Sequence, residues 1–243
     1  MVKIKNFILL KILWLLNRYS KALKFKKELL TSKSILERNF SKKSDFNFIQ
    51  IGANDGISFD FLYDFIVSRR SKGVVLEPVS EYYCELVENY KNYKDILPVN
   101  IAVHPDLKSI KIFKIKETSK YKYPDWVKGI ASFDPQHHVR LKIETEDITE
   151  EIVHGDTLSN IINSYYLPKK IDYIQVDTEG FDFQILKMID FKSIFPSMIK
   201  FESINLLADE KVKATKILLE NGYFIFDEIG DTVGVRLDKL SLI

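Results

Sequence analysis

The chain has 243 residues, of which 46% are hydrophobic, 29% charged and 13% aromatic, with nine glycines and seven prolines. That composition excludes disordered, collagenous and low-complexity classes. At this length an α/β domain buries about 70–75% of its unfolded surface, so no disulfide or structural metal is needed. A single cysteine, Cys84, excludes an intramolecular disulfide and any Cys-based zinc cluster, and fits a reducing, cytoplasmic setting. The net charge of +2 conceals an asymmetry: residues 1–44 hold 12 Lys or Arg against two acids, net +10, and the remainder is net −8.

The first element is the apolar run Phe7 to Leu16, ten positions interrupted by Lys11. Crossing a bilayer takes about 20 apolar residues, so the run does not span one. The charge within it and the basic stretch after it also argue against a cleaved export signal. On a helix, Lys3, Lys11, Arg18 and Lys21 fall within about 80° of each other, opposite a stripe of Leu and Ile. Two readings follow for this basic amphipathic segment: peripheral contact with anionic lipid through residues 1–30 at the inner face of the membrane, or packing on the domain with the charges solvated. Nucleic acid is not an expected partner, since the basic block lacks a recognised module and most of the chain is acidic.

From residue 45 onward, short β-rich runs alternate with segments of 3.6-residue period, the pattern of parallel βαβ units and an α/β class. Strands are predicted at Phe46–Ile51, Gly73–Glu77, Ile96–Asn100, Ile171–Val176, Met198–Glu202, Tyr223–Phe226 and Thr232–Arg236. Val79, Tyr83, Leu86 and Tyr90 mark one crossover helix, and Phe181, Ile185, Met188 and Ile189 another. Ala214, Ile217 and Leu218 mark a third, ending at Gly222 as a left-handed cap. The short Asp227–Asp231 connection makes the last two strands an antiparallel hairpin. Residues 104–154 break the rhythm and read as an insertion over the sheet edge. No repeat or linker divides 45–243 into two domains.

The chemistry-bearing residues gather at predicted strand ends. Gly52-Ala53-Asn54-Asp55-Gly56 follows the first strand, two glycines bracketing a turn where backbone can approach a ligand closely. It lacks the third glycine of a dinucleotide fingerprint, and Asp55 would repel a pyrophosphate, so an uncharged or cationic ligand fits better than a phosphate. Glu77 ends the second strand 25 positions beyond Gly52, near the spacing at which a carboxylate meets ribose hydroxyls. After the fourth strand come Asp177, Glu179 and Asp182, crowded acids suited to raised pKa values, cation binding or contact with a substrate hydroxyl; helix capping is the competing role. Glu202 ends the fifth strand facing the same cleft. His137 and His138 lie in the insertion and offer a proton acceptor.

The segments FIQIGANDG (48–56), VVLEP (74–78), VNIAV (99–103), GDTLSNII (155–162), IDYIQVDTEGFDFQILK (171–187) and IKFE (199–202) together resemble the FkbM-type methyltransferases over about residues 46–226. The resemblance implies a class I, Rossmann-like fold with a seven-stranded, mostly parallel sheet in the order 3-2-1-4-5-7-6, helices on both faces and a C-terminal antiparallel hairpin. It implies S-adenosyl-L-methionine as cofactor, with Gly52, Asn54, Asp55 and Gly56 around the methionine part, Glu77 on the ribose, and Asn100 and Ala102 near the adenine. Gln50 stands where many methyltransferases carry an acid.

The expected activity is O-methylation of a hydroxyl on a small molecule, saccharide or lipid-linked glycan, with Asp177 as general base and Glu179 or His137 behind it. Alternatively, Asp177 and Glu202 hold a divalent cation that orients substrate oxygens. A nicotinamide-dependent oxidoreductase on a doubly wound sheet, or a non-catalytic scaffold of the same fold, are the competing functions.

Overall fold

In the computed structural model, residues 2–16, 30–58, 60–166, 168 and 170–242 are described. The chain begins with helices α1 (Val2–Leu16) and α2 (Ser32–Asn39). It continues through β1 (Asp45–Ile51), α3 (Leu62–Val67), β2 (Arg70–Leu76), α4 (Ser80–Tyr90) and β3 (Ile96–Val99). Then follow β4 (Ala102–Val103), β5 (Ser109–Ile115), α5 (Asp125–Lys128), β6 (Ala131–Ser132), α6 (Gln136–Arg140) and β7 (Ile148–Asp156). The remaining elements are α7 (Leu158–Tyr165), β8 (Tyr173–Val176), α8 (Asp182–Met188), β9 (Met198–Glu202), α9 (Ala208–Glu220), β10 (Phe224–Asp227) and β11 (Asp231–Val235).

A seven-stranded sheet runs in the order β10-β11-β9-β8-β1-β2-β3, parallel except where β11 meets β9 and β10. This is the mostly parallel class I order expected from the resemblance, hairpin included. Its strands are buried on both faces, so β1 reads as one unbroken buried run from Phe46 to Ile51. Alternation then sorts the side chains by face. Phe46, Phe48, Val75, Tyr173, Met198 and Val233 pack on α2, α3 and α4 on one side. Ile49, Ile51, Leu76, Ile174, Val176 and Phe201 pack on α7, α8 and α9 on the other.

The basic N-terminal segment joins this body. Ile35 and Leu36 of α2 are fully buried with Leu30 and Phe40 in the first of these cores, and Leu9 of α1 enters it too. The boundary drawn at residue 44 therefore passes through a continuous core. Over residues 2–12 of α1, Asn6 and Leu9 are buried, and Lys3 and Lys11 share the outward side with Ile4, Phe7, Ile8 and Ile12 rather than opposing an apolar stripe. Arg18 and Lys21 lie outside the described residues.

The stretch read as an insertion forms its own four-stranded sheet, β4-β7-β5-β6, with β5 and β7 paired from Ser109↔His154 to Ile115↔Ile148. Its small core, Ile110, Ile112 and Val153, rests on Val79 and Tyr82 at the start of α4. Ser132 Oγ donates to Glu179 O at 2.9 Å, tying the insertion to the loop after β8.

Candidate active site

Register aligns the site. Ile51, Leu76, Val176 and Phe201 are the last paired residues of four adjacent parallel strands. The next residues, Gly52, Glu77, Asp177 and Glu202, stand in one row at the carboxyl edge, and Asp231 pairs opposite Glu202. The strand order reverses between β1 and β8, and crevices at such switch points are where open α/β sheets bind ligands. A cavity of about 530 Å³ opens there. Strand-end residues form its floor, and Trp126, Gly129, Ile130, Phe133 and Leu141 of the insertion cover it.

Backbone conformation shapes the floor. Gly52 has φ +77°, and a Cβ there would stand 1.7 Å from Asp177 O, so the β1 and β8 loops touch through a missing side chain. Asn54, also left-handed at φ 50°, donates its backbone N–H to Glu77 Oε2 at 2.9 Å, and its side-chain amide reaches Gly129 O at 3.3 Å. Glu77 Oε1 accepts from Val79 N at 2.8 Å. Burial pushes the Glu77 carboxyl up to about 7 against these two hydrogen bonds.

One row deeper, Gln50, Gln175 and Lys200 are register neighbours across β1, β8 and β9. Both glutamine amides donate to Asp60 Oδ2, Gln50 at 3.0 Å, while Asp60 Oδ1 accepts from Leu62 N at 2.9 Å. The loop before α3 thus brings a carboxylate against Gln50 near the end of β1. Burial raises the Asp60 carboxyl. Burial alone would lower the Lys200 ammonium, but Asp231 Oδ2 at 2.9 Å outweighs it and holds it above its ordinary value. Gln50 Oε1 is buried in the cavity wall without a hydrogen-bond partner.

The acidic end is formed by Asp177, Glu179 and Glu202, which each bring one carboxylate oxygen to within 4.8 Å of the others. Glu179 is held at φ 52°, with Asn205 Nδ2 donating to Glu179 Oε2 at 2.8 Å and to Glu202 Oε1 at 2.9 Å. Glu202 Oε2 is buried and unpartnered. The Asp177 side chain is open to the cavity but ringed by protein, and burial, then Glu179 and Asp182, raise its carboxyl well above the usual range. Burial, then Glu179 and Asp177, push Glu202 up to about 9.

Asp182 has a structural role. Fully buried, it accepts from Thr178 Oγ1 at 2.9 Å and from Glu202 N at 3.1 Å, locking the loop after β8 to the end of β9.

The sequence-predicted residues divide accordingly. Gly52, Asn54, Glu77, Ala102, Asp177, Glu179 and Glu202 line the cavity. Asp55 does not: its carboxylate accepts from Ile57 N and Ser58 N and closes its own loop. Gly56 packs on Leu86 and Tyr90 of α4, and the helix following the elbow starts only at Leu62, so the turn is not a helix N-terminus. Asn100 is exposed and donates to the carbonyls of Glu77 and Pro78, bracing the β2 end from outside. His137 is buried behind Glu179, its Nε2 3.1 Å from Glu179 Oε2, and does not reach the cavity. His138 is fully buried, with Nε2 3.2 Å from Ile130 O. Asp60, Gln175, Lys200, Asn205 and Asp231 were not singled out from the sequence.

These pKa directions set a pH dependence. Glu202 titrates near 4.5 when unfolded and near 9 in the fold, so the native state keeps its proton across that window. The stability from that proton is complete below about 4.5 and is lost as pH rises through about 9. Asp177 is shifted in the same direction. The melting temperature of the ligand-free protein is expected to fall between pH 5 and 9, and Glu202→Gln to flatten that slope; an equally steep slope in the variant would refute the assignment.

Fold and cavity define a class I, Rossmann-like methyltransferase architecture: the reversed strand order, the glycine elbow after β1, the acid after β2 and the acidic loop after β8. The family model for the methyltransferase FkbM domain matches residues 50–229, and the chain belongs to the FkbM methyltransferase family. No curated protein matches the sequence. Similar solved structures include an FkbM methyltransferase from Methylobacillus flagellatus KT, at 12% identity and TM-score 0.49, covering 79% of this chain and 44% of that one. The Methanococcus jannaschii fibrillarin pre-rRNA processing protein aligns at 14% identity and TM-score 0.42 over 91% and 76% of the two chains. TrmK of M. capricolum, solved with S-adenosyl-homocysteine, aligns at 10% identity and TM-score 0.41 over 88% and 71%.

Proposed function

We propose that this methyltransferase is a cytoplasmic O-methyltransferase that uses S-adenosyl-L-methionine to methylate a hydroxyl of a saccharide or other glycan. The observation that carries the reading is the charge of the cavity. Among its described lining residues, six carboxyl groups, Asp60, Glu77, Asp177, Glu179, Glu202 and Asp231, face one ammonium, Lys200, and with protons held on Asp177 and Glu202 the other four still outnumber it. Such a lining repels the pyrophosphate of a nicotinamide dinucleotide and attracts a phosphate-free cation. The groups present also match the donor in detail. The unpartnered Gln50 Oε1, beside Asp60, supplies an acceptor for its α-ammonium. Glu77 keeps a free lone pair on each oxygen for vicinal ribose hydroxyls, and the missing Cβ at Gly52 leaves room for close backbone approach.

When bound, S-adenosylmethionine supplies an electrophilic methyl on a sulfonium. The chain's own contribution is to bind an acceptor hydroxyl beside Asp177, orient it and take its proton at the Asp177 carboxylate. The raised affinity of that carboxyl for a proton makes it a stronger base than an ordinary aspartate. Glu179 and Glu202, crosslinked by Asn205, are placed to accept hydrogen bonds from neighbouring acceptor hydroxyls. The insertion roof, with Trp126 and Phe133, excludes water and offers aromatic surface to a sugar ring.

A calorimetric titration tests the donor: S-adenosylhomocysteine is expected to bind and NADH not to, and the reverse result would return the protein to the oxidoreductases. Neither ligand binding would favour a scaffold. Glu77→Ala is expected to weaken S-adenosylhomocysteine by about 1–3 kcal/mol, the range for removing a charged hydrogen-bond partner. An unchanged dissociation constant would place the ribose elsewhere. The second role for the acids, holding a divalent cation, rests on the three carboxylate oxygens within 4.8 Å. Activity that survives EDTA excludes it.

A further inference from the structure

We propose that the outward side of α1 docks on an anionic phospholipid surface and makes this domain a peripheral membrane protein. Among the described residues, contacts hold the helix on one side. Asn6 Nδ2 donates to Leu237 O at 2.9 Å and Leu240 O at 3.0 Å, Leu242 N donates to Asn6 Oδ1 at 2.9 Å, and Leu9 is buried beside them. With that side engaged, the opposite one presents Ile4, Phe7, Ile8 and Ile12, which are 66%, 58%, 51% and 44% exposed. At 100° per residue these four fill an arc of about 140°, with Lys11 inside it and Lys3 and Lys5 flanking it about 40° and 20° beyond its two ends. An apolar stripe of this kind on a soluble domain marks an interaction surface.

The lysines choose the partner. Lys11 Nζ lies 4.8 Å from the Phe7 ring centroid, a cation inside the apolar patch. Buried against another protein, that ammonium would need a carboxylate opposite it. A second copy of α1 would instead oppose lysine to lysine. At a bilayer interface the stem lies along the apolar side chains while the ammonium reaches lipid phosphates. Residues 1–30 hold eight Lys or Arg and one Glu, and residues 45–243 are net −8. An anionic surface attracts the first by about 1 kcal/mol per basic residue near it, and repels the second. No helix among the described residues is long and apolar enough to cross a membrane.

Docking also orients the cavity. β11 runs from Asp231, opposite Glu202 at the carboxyl edge, to Val235, opposite Met198 at the amino edge. The tail that holds Asn6 continues from there, so α1 sits at the edge away from the cavity. The membrane then sets where the protein works, and the acceptor enters from the aqueous side. This holds whether or not the methyl-transfer reading is right.

Sedimentation of the full chain with phosphatidylcholine vesicles, with and without phosphatidylserine, tests it. The chain is expected to pellet with the phosphatidylserine vesicles only, to be released by high salt, and to lose at least about tenfold in partitioning in the double variant Phe7→Asp/Ile8→Asp. Both positions are exposed, so the variant is expected to melt at the unchanged temperature and keep its S-adenosylhomocysteine affinity. No pelleting, equal pelleting with neutral vesicles, or a double variant that pellets like the parent overturns the proposal. A parent dimer converted to monomer by the double variant also overturns it, assigning the face to a second copy.

Discussion

Asp177→Asn is expected to lower kcat by about 10²–10⁴-fold, the usual worth of a positioned general base, while leaving the affinity for S-adenosylhomocysteine unchanged. The asparagine keeps the size of the side chain and its place at the end of β8, and removes only the site that takes the proton. In the parent enzyme, a carboxyl held well above its ordinary range by burial, Glu179 and Asp182 must lose its proton before it can act. Activity should therefore rise with pH over a range far above that of a free aspartate, and the residual activity of the variant should lose this limb. A variant with the parent rate would move the base to Glu179, the other carboxylate of that loop that lines the cavity. Loss of cofactor binding together with rate would instead make Asp177 a donor-binding residue.

Gly52→Ala should cost about 4 kcal/mol or more of stability, the upper end for single substitutions. Two effects coincide there. The residue sits at φ +77°, and its new Cβ would be 1.7 Å from Asp177 O, a backbone atom that cannot rotate away. Gly222→Ala separates the two contributions. It has φ +80° with nothing within 4 Å of the added carbon, so it carries the conformational cost alone, about 1–2 kcal/mol. Chemical denaturation of both variants measures the difference. Equal losses would mean that the β1 and β8 loops separate freely, and the cavity floor would not be the rigid contact described above.

Much of the site was readable because its residues obey local rules. The β-rich runs and 3.6-residue periods located the strands and crossover helices, and each strand end could be marked by the acid or glycine following the apolar run. Gly52, Glu77, Asp177 and Glu202, which line the cavity, follow that rule. Gln50, Gln175 and Lys200 carried a signal of their own, a polar residue inside an otherwise apolar buried run, but only pairing shows that the three are adjacent. Asp60 and Asn205 gave none: each is a loop residue whose partner lies elsewhere in the chain, Gln175 for Asp60 and Glu179 for Asn205.

Asp55 and Gly56 illustrate the opposite error. The motif located the turn, but side-chain direction within it depends on left-handed residues and on Leu86 and Tyr90 of α4 packing beneath it. His137 likewise lies near the right loop and faces the wrong way, because the insertion sheet folds over the cavity and turns the ring behind Glu179.

Composition, periodicity and charge order, all properties of neighbouring residues, were enough to establish an α/β sheet, the strand ends where chemistry gathers and a basic first segment set against an acidic remainder. Which acids share a cavity, what covers it and which side of α1 is held depended on contacts between residues from 23 to more than two hundred positions apart. Those contacts follow from strand register and the burial of both sheet faces, which no window along the chain contains.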